Sequence, residues 1–159
     1  MFRRIWAFIV GAFFGLVAGV LAGFIAYPYV FAPPTATETL SGEQGARIAK
    51  GSFIHADPSD PVHWGKGEVT VYDREVFLEP SFEVGPGPAF YVYLVKQSGI
   101  RTNEAFKAAE TVELGKIKSF SGSQRYAIPA GVNPADYKSV VVWCKQFGVL
   151  ISPADVSRP

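Results

Sequence analysis

The sequence predicts an all-β domain, an antiparallel β-sandwich or a partly open barrel, preceded by one N-terminal transmembrane helix. Three observations carry this reading. Residues 5–31 contain no charged side chain. From Gly51 onward, short runs rich in Val, Tyr, Phe and Thr alternate with Gly, Pro and Asp breakers, as half-buried strands alternate with tight turns. Past the apolar opening stretch, only two short windows carry a helical pattern.

The chain has 159 residues, of which 48% are hydrophobic, 14% aromatic and only 18% charged. That length admits one domain of ordinary size with an appendage. Fifteen Lys/Arg against fourteen Asp/Glu leave a net charge of +1, which excludes a strongly basic nucleic-acid binder and an acidic disordered tail. A single cysteine excludes an intrachain disulfide framework and any Cys₄ or Cys₂His₂ metal site. The absence of C-x-x-C-H excludes covalent c-type haem attachment.

Residues 1–34 form a cytoplasmic stub and an anchor. A spanning helix needs ~20 apolar residues, and Ile5–Ala26 supplies them before Pro28, where the helix should end. Trp6 at one end and Tyr27 and Tyr29 at the other fall where amphipathic rings prefer the headgroup level, so residues 5–27 meet the bilayer. Arg3 and Arg4 keep the N-terminus in the cytoplasm, which puts the rest on the periplasmic or extracellular side of the cell (inner) membrane. A cleaved signal would have a core of ~7–15 apolar residues and a small-x-small site. Here the run is longer, and Val30-Phe31-Ala32 is followed by two prolines, so an uncleaved signal anchor is expected. Gly11, Gly15, Gly19 and Gly23 recur every fourth residue, a stripe through which a second copy of the helix could pack as a homodimer.

Residues 35–50 read as a Pro/Thr linker, with Ser41 and Gln44 capping a short helix over Glu43–Lys50. The outer domain then occupies residues 51–159. Gly51–Ala56 is β-capable, and Asp57-Pro58-Ser59-Asp60-Pro61 breaks it. Gly67–Tyr72 alternates, Val76–Val84 is interrupted by Pro80, and Gly85–Pro88 is a turn. Ala89–Lys96 is apolar on both faces, the mark of a central strand. Asn103 caps one or two helical turns over Glu104–Glu110. Thr111–Lys118 and Ser121–Ile128 read as a hairpin, and Tyr137–Trp143 with Phe147–Ile151 as a closing pair.

Few residues can carry chemistry. Cys144 lies in the strand-like run Val140–Lys145, where alternation points it with Val140 and Val142 and sends Trp143 to the face of Val141 and Lys145. Free Cys is commonly a small buried hydrophobe. Outside the cytoplasm, however, thiols are usually paired, so a lone one is buried, bridges two chains, binds something or does redox chemistry. His55 and His63 flank the proline turn, and histidine and cysteine are ligand types for haem iron or a metal, although their spacing matches no recognised metal site. Asp57 and Asp60 lack the third carboxylate that calcium needs. Tyr91, Tyr93 and Tyr126 read as core and strand-surface residues. No nucleophile elbow, phosphate loop or dinucleotide fingerprint is present, so no hydrolase or transferase machinery is visible.

An ordered set of segments resembles the electron-transfer DM-thirteen domain family. They are Gly51-Ser52-Phe53, His63–Val69, Gly85–Pro88 leading into Tyr91-Val92-Tyr93-Leu94, Leu114–Lys118, Gly122–Pro129 and Tyr137–Val149, the last containing Trp143-Cys144. Ala89 departs from the pattern, which carries an acidic residue before the Tyr-rich strand. The resemblance implies a β-sandwich-like extracytoplasmic module for redox or electron transfer, with the family's characteristic cysteine at Cys144 as a redox-active thiol or cofactor attachment point. Two functions compete. One is a membrane-anchored electron-transfer module working with a redox partner. The other is a non-catalytic binding or scaffold domain that docks an envelope protein and holds Cys144 in its core.

Overall fold

The computed structural model describes residues 2–158 and divides into two units, one up to Ala32 and one from Pro33 on. The first unit is helix α1 (Phe2–Val30), which in length and composition is able to cross a membrane. It continues through Pro28 instead of stopping there. Proline removes one donor, but the ladder resumes with Phe31 N–H donating to the Tyr27 carbonyl at 2.9 Å. A Cβ placed on Gly11, Gly15, Gly19 or Gly23 would meet no other atom within 4 Å.

The second unit is mostly β. Its strands are β1 (Ala36–Thr37), β2 (Arg47–Phe53), β3 (Gly65–Tyr72), β4 (Glu75–Leu78), β5 (Glu83–Val84), β6 (Phe90–Val95), β7 (Thr111–Lys116), β8 (Gly122–Ala127), β9 (Ser139–Cys144) and β10 (Val149–Ser157). One short helix, α2 (Asn103–Lys107), lies between β6 and β7. The strands join in a single sheet in the order β1-β8-β4-β3-β2-β10-β9-β6-β7, with β5 pairing to β3. Two separate sheets of a sandwich are therefore not what forms. One sheet curls into an open half-barrel, because β10 pairs with β2 on one edge and β9 on the other and so splices the halves together. Curling brings residues from both ends into one core: Val69 and Val71 of β3, Leu78 of β4, Val92 and Leu94 of β6, and Val140 and Val142 of β9.

Several local readings change. Residues 35–50 are not a free linker and carry no helix. β1 pairs in parallel with β8, and Arg47–Lys50 begin β2. Ser41 Oγ accepts from the Glu43 N–H at 3.2 Å, a turn that is not propagated. Glu38, just past β1, is pinned by Lys118 Nζ at 2.7 Å and by the Arg125 N–H at 2.6 Å. Helix α2 is capped by Thr102, whose Oγ1 accepts from the Ala105 N–H at 3.1 Å. Asn103 instead accepts from the Leu150 N–H at 2.7 Å and so ties α2 to β10. β7 and β8 are not a hairpin: β7 pairs with β6 and β8 with β4, near opposite ends of the sheet. Between them the fully buried Gln124 holds the crossover, its carbonyl accepting from the Lys118 N–H and the Tyr126 hydroxyl, both at 2.9 Å. β9 and β10 do form the expected closing pair.

Gly122 is the residue that lets β1 join. Its φ is +86°, and a Cβ there would lie 2.0 Å from the Ala36 carbonyl oxygen. Replacing Gly122 by Ala should cost about 1–3 kcal/mol, the scale of a residue forced into a disfavoured backbone region. The Ala36 and Glu38 amides, which donate across this edge at 2.9 and 3.1 Å, should then exchange with solvent much faster. Hydrogen exchange checks this, and unchanged protection at both amides would refute it.

Candidate functional site

β9 reads Ser-Val-Val-Val-Trp-Cys, and all six residues are buried. It is paired on both sides, with β6 and β10, so both of its faces must be covered. Val140, Val142 and Cys144 enter the main core. Val141 and Trp143 enter a second, smaller core with Tyr93, Val95, Ile100, Phe106 and Leu150. This is the alternation read from the sequence.

Cys144 closes β9 opposite Phe90 of β6 and Val149 of β10. Its carbonyl accepts from the Gly148 N–H at 2.9 Å. The residue is 1% exposed, and its thiol is free. A thiol in that position cannot meet a soluble oxidant, or the cysteine of another chain, while the sheet stays closed.

The opposite face is chemically richer. Phe106 of α2 stacks on Trp143, with ring centroids 4.2 Å apart and 20° between planes, and meets Tyr93 edge-on at 5.3 Å. The Tyr93 hydroxyl donates to Glu113 Oε2 at 2.7 Å. Lys145 Nζ donates to the same oxygen at 3.0 Å and lies 4.5 Å from the centroid of the Tyr91 ring. Burial pushes the Tyr93 phenol up, and its hydrogen bond to the carboxylate pushes it further. The bond from Tyr93 holds Glu113 low against the opposing effect of burial, and Lys145 adds to that bond. Sequence reasoning placed Tyr93 in the core and assigned it no partner. Glu113 is one of two charges on β7, and nothing in the local pattern announces which residue it will face.

His55 and His63 are drawn together by one residue. His55 Nε2 hydrogen-bonds the Asp60 backbone carbonyl at 2.8 Å, and His63 Nδ1 the Asp60 carboxylate at 2.6 Å. His63 lines an open cleft of about 220 Å³ with Asp57, Asp60, Arg101 and Glu104. Haem wants an apolar slot, and this cleft is lined by carboxylates and a guanidinium, so these residues do not fit it. Among the described residues, no group of three or more His, Cys, Asp or Glu side chains is arranged to hold a metal ion. Nor are Cys144 and the histidines gathered into one ligand set.

A protein-family model described as "Electron transfer DM13" matches residues 58–156, more than half of the chain. No curated protein and no solved structure matches. The matched span begins in the turn holding Asp60 and ends in β10, so it includes Cys144, Tyr93, Trp143 and Glu113.

Two outcomes follow from this geometry. Cys144→Ala should lower stability by ~1–2 kcal/mol, a small core truncation, and the wild-type thiol should react with a maleimide only at the rate of unfolding. Fast labelling of the folded protein would contradict that. The Asp60 carboxyl is pushed from 3.8 down to about 2, first by the bond from His63 and then by the Val62 N–H. A folded pKa below the unfolded one means that the ordering of this turn is present above about pH 4 and is lost as pH falls through about 2. Amide exchange at Val62 and His63 should report the loss, and Asp60→Asn should remove the step.

Proposed function

We propose that this chain, which belongs to the electron transfer DM13 family, works as a membrane-anchored redox module with its β domain on the extracytoplasmic side. The observation that carries this reading is the family match over residues 58–156. The anchor is supported by the 29-residue apolar helix α1, and its orientation by Arg3 and Arg4 at the N-terminal flank. The Gly11–Gly23 stripe supports a homodimer through this helix. Electrons enter from, and leave to, a redox partner in the envelope.

The role of Cys144 divides two versions of this function. In one, the thiol is the redox group and is reached when the β9–β10 end opens. The burial of Cys144 at 1% exposure favours the other, in which the thiol is a core residue. The same burial lends support to a non-catalytic binding or scaffold domain that docks an envelope protein.

The full-length protein, extracted in detergent and titrated with redox mediators, tests the proposal. Reversible uptake and release of electrons is the expected result. No uptake across the accessible range would remove the redox function and leave the scaffold. Cys144→Ala then separates the versions: an unchanged titration makes the cysteine structural, and a lost one, with the melting curve within ~2 kcal/mol of wild type, makes it the redox group.

A further inference from the structure

β7 carries a bulge that changes which residue Tyr93 faces. Tyr91 pairs with Lys116 and Val92 with Gly115, so an unbroken register would place Leu114 opposite Tyr93. The register shifts between Val92 and Tyr93 and puts Glu113 there instead. Gly115, beside the shift, takes φ +145°, a backbone conformation that L side chains rarely adopt. Because strand side chains alternate faces, the extra residue moves the Glu113 carboxylate to the face of the Tyr93 ring. An aliphatic neighbour there would have been the ordinary choice for a ring that is 8% exposed.

The result is a phenol with a base on its hydroxyl and Phe106 edge-on to its ring at 5.3 Å, itself stacked on Trp143. We propose that Tyr93 is a one-electron donor whose phenolic proton passes to Glu113, with Phe106 and Trp143 as the ring-to-ring path extending from it. The oxidant is a one-electron acceptor of the high-valent metal-centre class, presented by a partner. In the step, the Tyr93 O–H bond breaks. One electron leaves the ring and reduces the oxidant by one unit. The proton crosses the 2.7 Å hydrogen bond and forms an O–H bond on Glu113 Oε2, leaving a neutral tyrosyl radical and a neutral carboxylic acid. Re-reduction by a one-electron donor of the low-valent metal-centre class, presented by a partner, returns one electron to the ring as the proton passes from Glu113 back to the phenol. The Lys145 ammonium, donating to the same oxygen at 3.0 Å, favours the ionised Glu113 that accepts the proton. The place of this step in the protein's work rests on the electron-transfer reading, whereas its chemistry rests on the geometry alone.

Flash photolysis of the full-length protein in detergent, with photogenerated tris-bipyridyl ruthenium(III) as the oxidant, tests it by transient absorption and electron paramagnetic resonance. The wild type should give a neutral tyrosyl radical that Tyr93→Phe largely removes, although six other tyrosines remain. Glu113→Gln should slow radical formation by about a hundred-fold, the scale of a positioned proton acceptor, and Glu113→Asp should recover part of the rate. Formation in the wild type should also be slower in deuterium oxide. A tyrosyl signal that survives Tyr93→Phe, or a rate indifferent to Glu113→Gln, would overturn the proposal. Should Tyr93→Phe fail to fold, the Glu113→Gln rate decides by itself. Mediated titration does not reach so oxidising a group, so this result and the failure or success of the redox module are read separately.

Discussion

The domain depends on one strand being covered on both faces at once. β9 gives up every side chain to burial, three to the main core and two to the smaller one, with Ser139 turned to the Gln97 carbonyl and the Asp155 carboxylate. A strand with two dry faces must be flanked on both edges, since its amides and carbonyls have no water to turn to. β6 and β10 meet that demand, and α2 follows because the Trp143 face would otherwise be an exposed apolar patch. The separation of the thiol from the Trp143, Phe106 and Tyr93 rings is thus a consequence of pleat geometry. Neighbours in sequence, Trp143 and Cys144 occupy different environments.

Much of this was legible in the sequence, and the reasons are physical. Residues 5–31 lack charge, so a long apolar helix could be read from them directly. The run Val140–Cys144 carries β-branched residues at period two, so the strand and the side to which each residue points could be read directly. The breaker around Asp57–Pro61 and the closing pair at the C-terminal end were visible for the same kind of reason. Strand partnership was not. Thr111–Lys118 and Ser121–Ile128 look like a hairpin because they are close in sequence, yet Ile117 donates to the Phe90 carbonyl and Val84 to the Phe120 carbonyl, so the chain crosses from one end of the sheet to the other. Nor could Ala36–Thr37 announce themselves as a strand, since a two-residue parallel pairing has no periodicity to read.

The candidate sites divide along the same line. Cys144 was conspicuous because it is alone, and its burial shows that conspicuousness is a matter of composition while access is a matter of packing. His55 and His63 were noticed as a pair, and they are one, joined through Asp60, with His63 on an open polar cleft. The Tyr93–Glu113 contact was invisible because it exists only through a register shift, which leaves no mark in local hydropathy.

β10 has a temporal consequence. It is the last of the ten strands to be synthesised, yet it lies in the middle of the sheet and joins β2 through Val156–Gly51 and Ser157–Lys50, aided by the Ile54 N–H on the Pro153 carbonyl at 3.0 Å and the Ser152 hydroxyl on the Ile54 carbonyl at 2.7 Å. Until those residues emerge from the ribosome, the two halves have no shared edge and the main core has no Ile151 or Ala154. Closure of this domain therefore waits on β10: a nascent chain paused anywhere before Val149 remains open, with long-range pairings still to make.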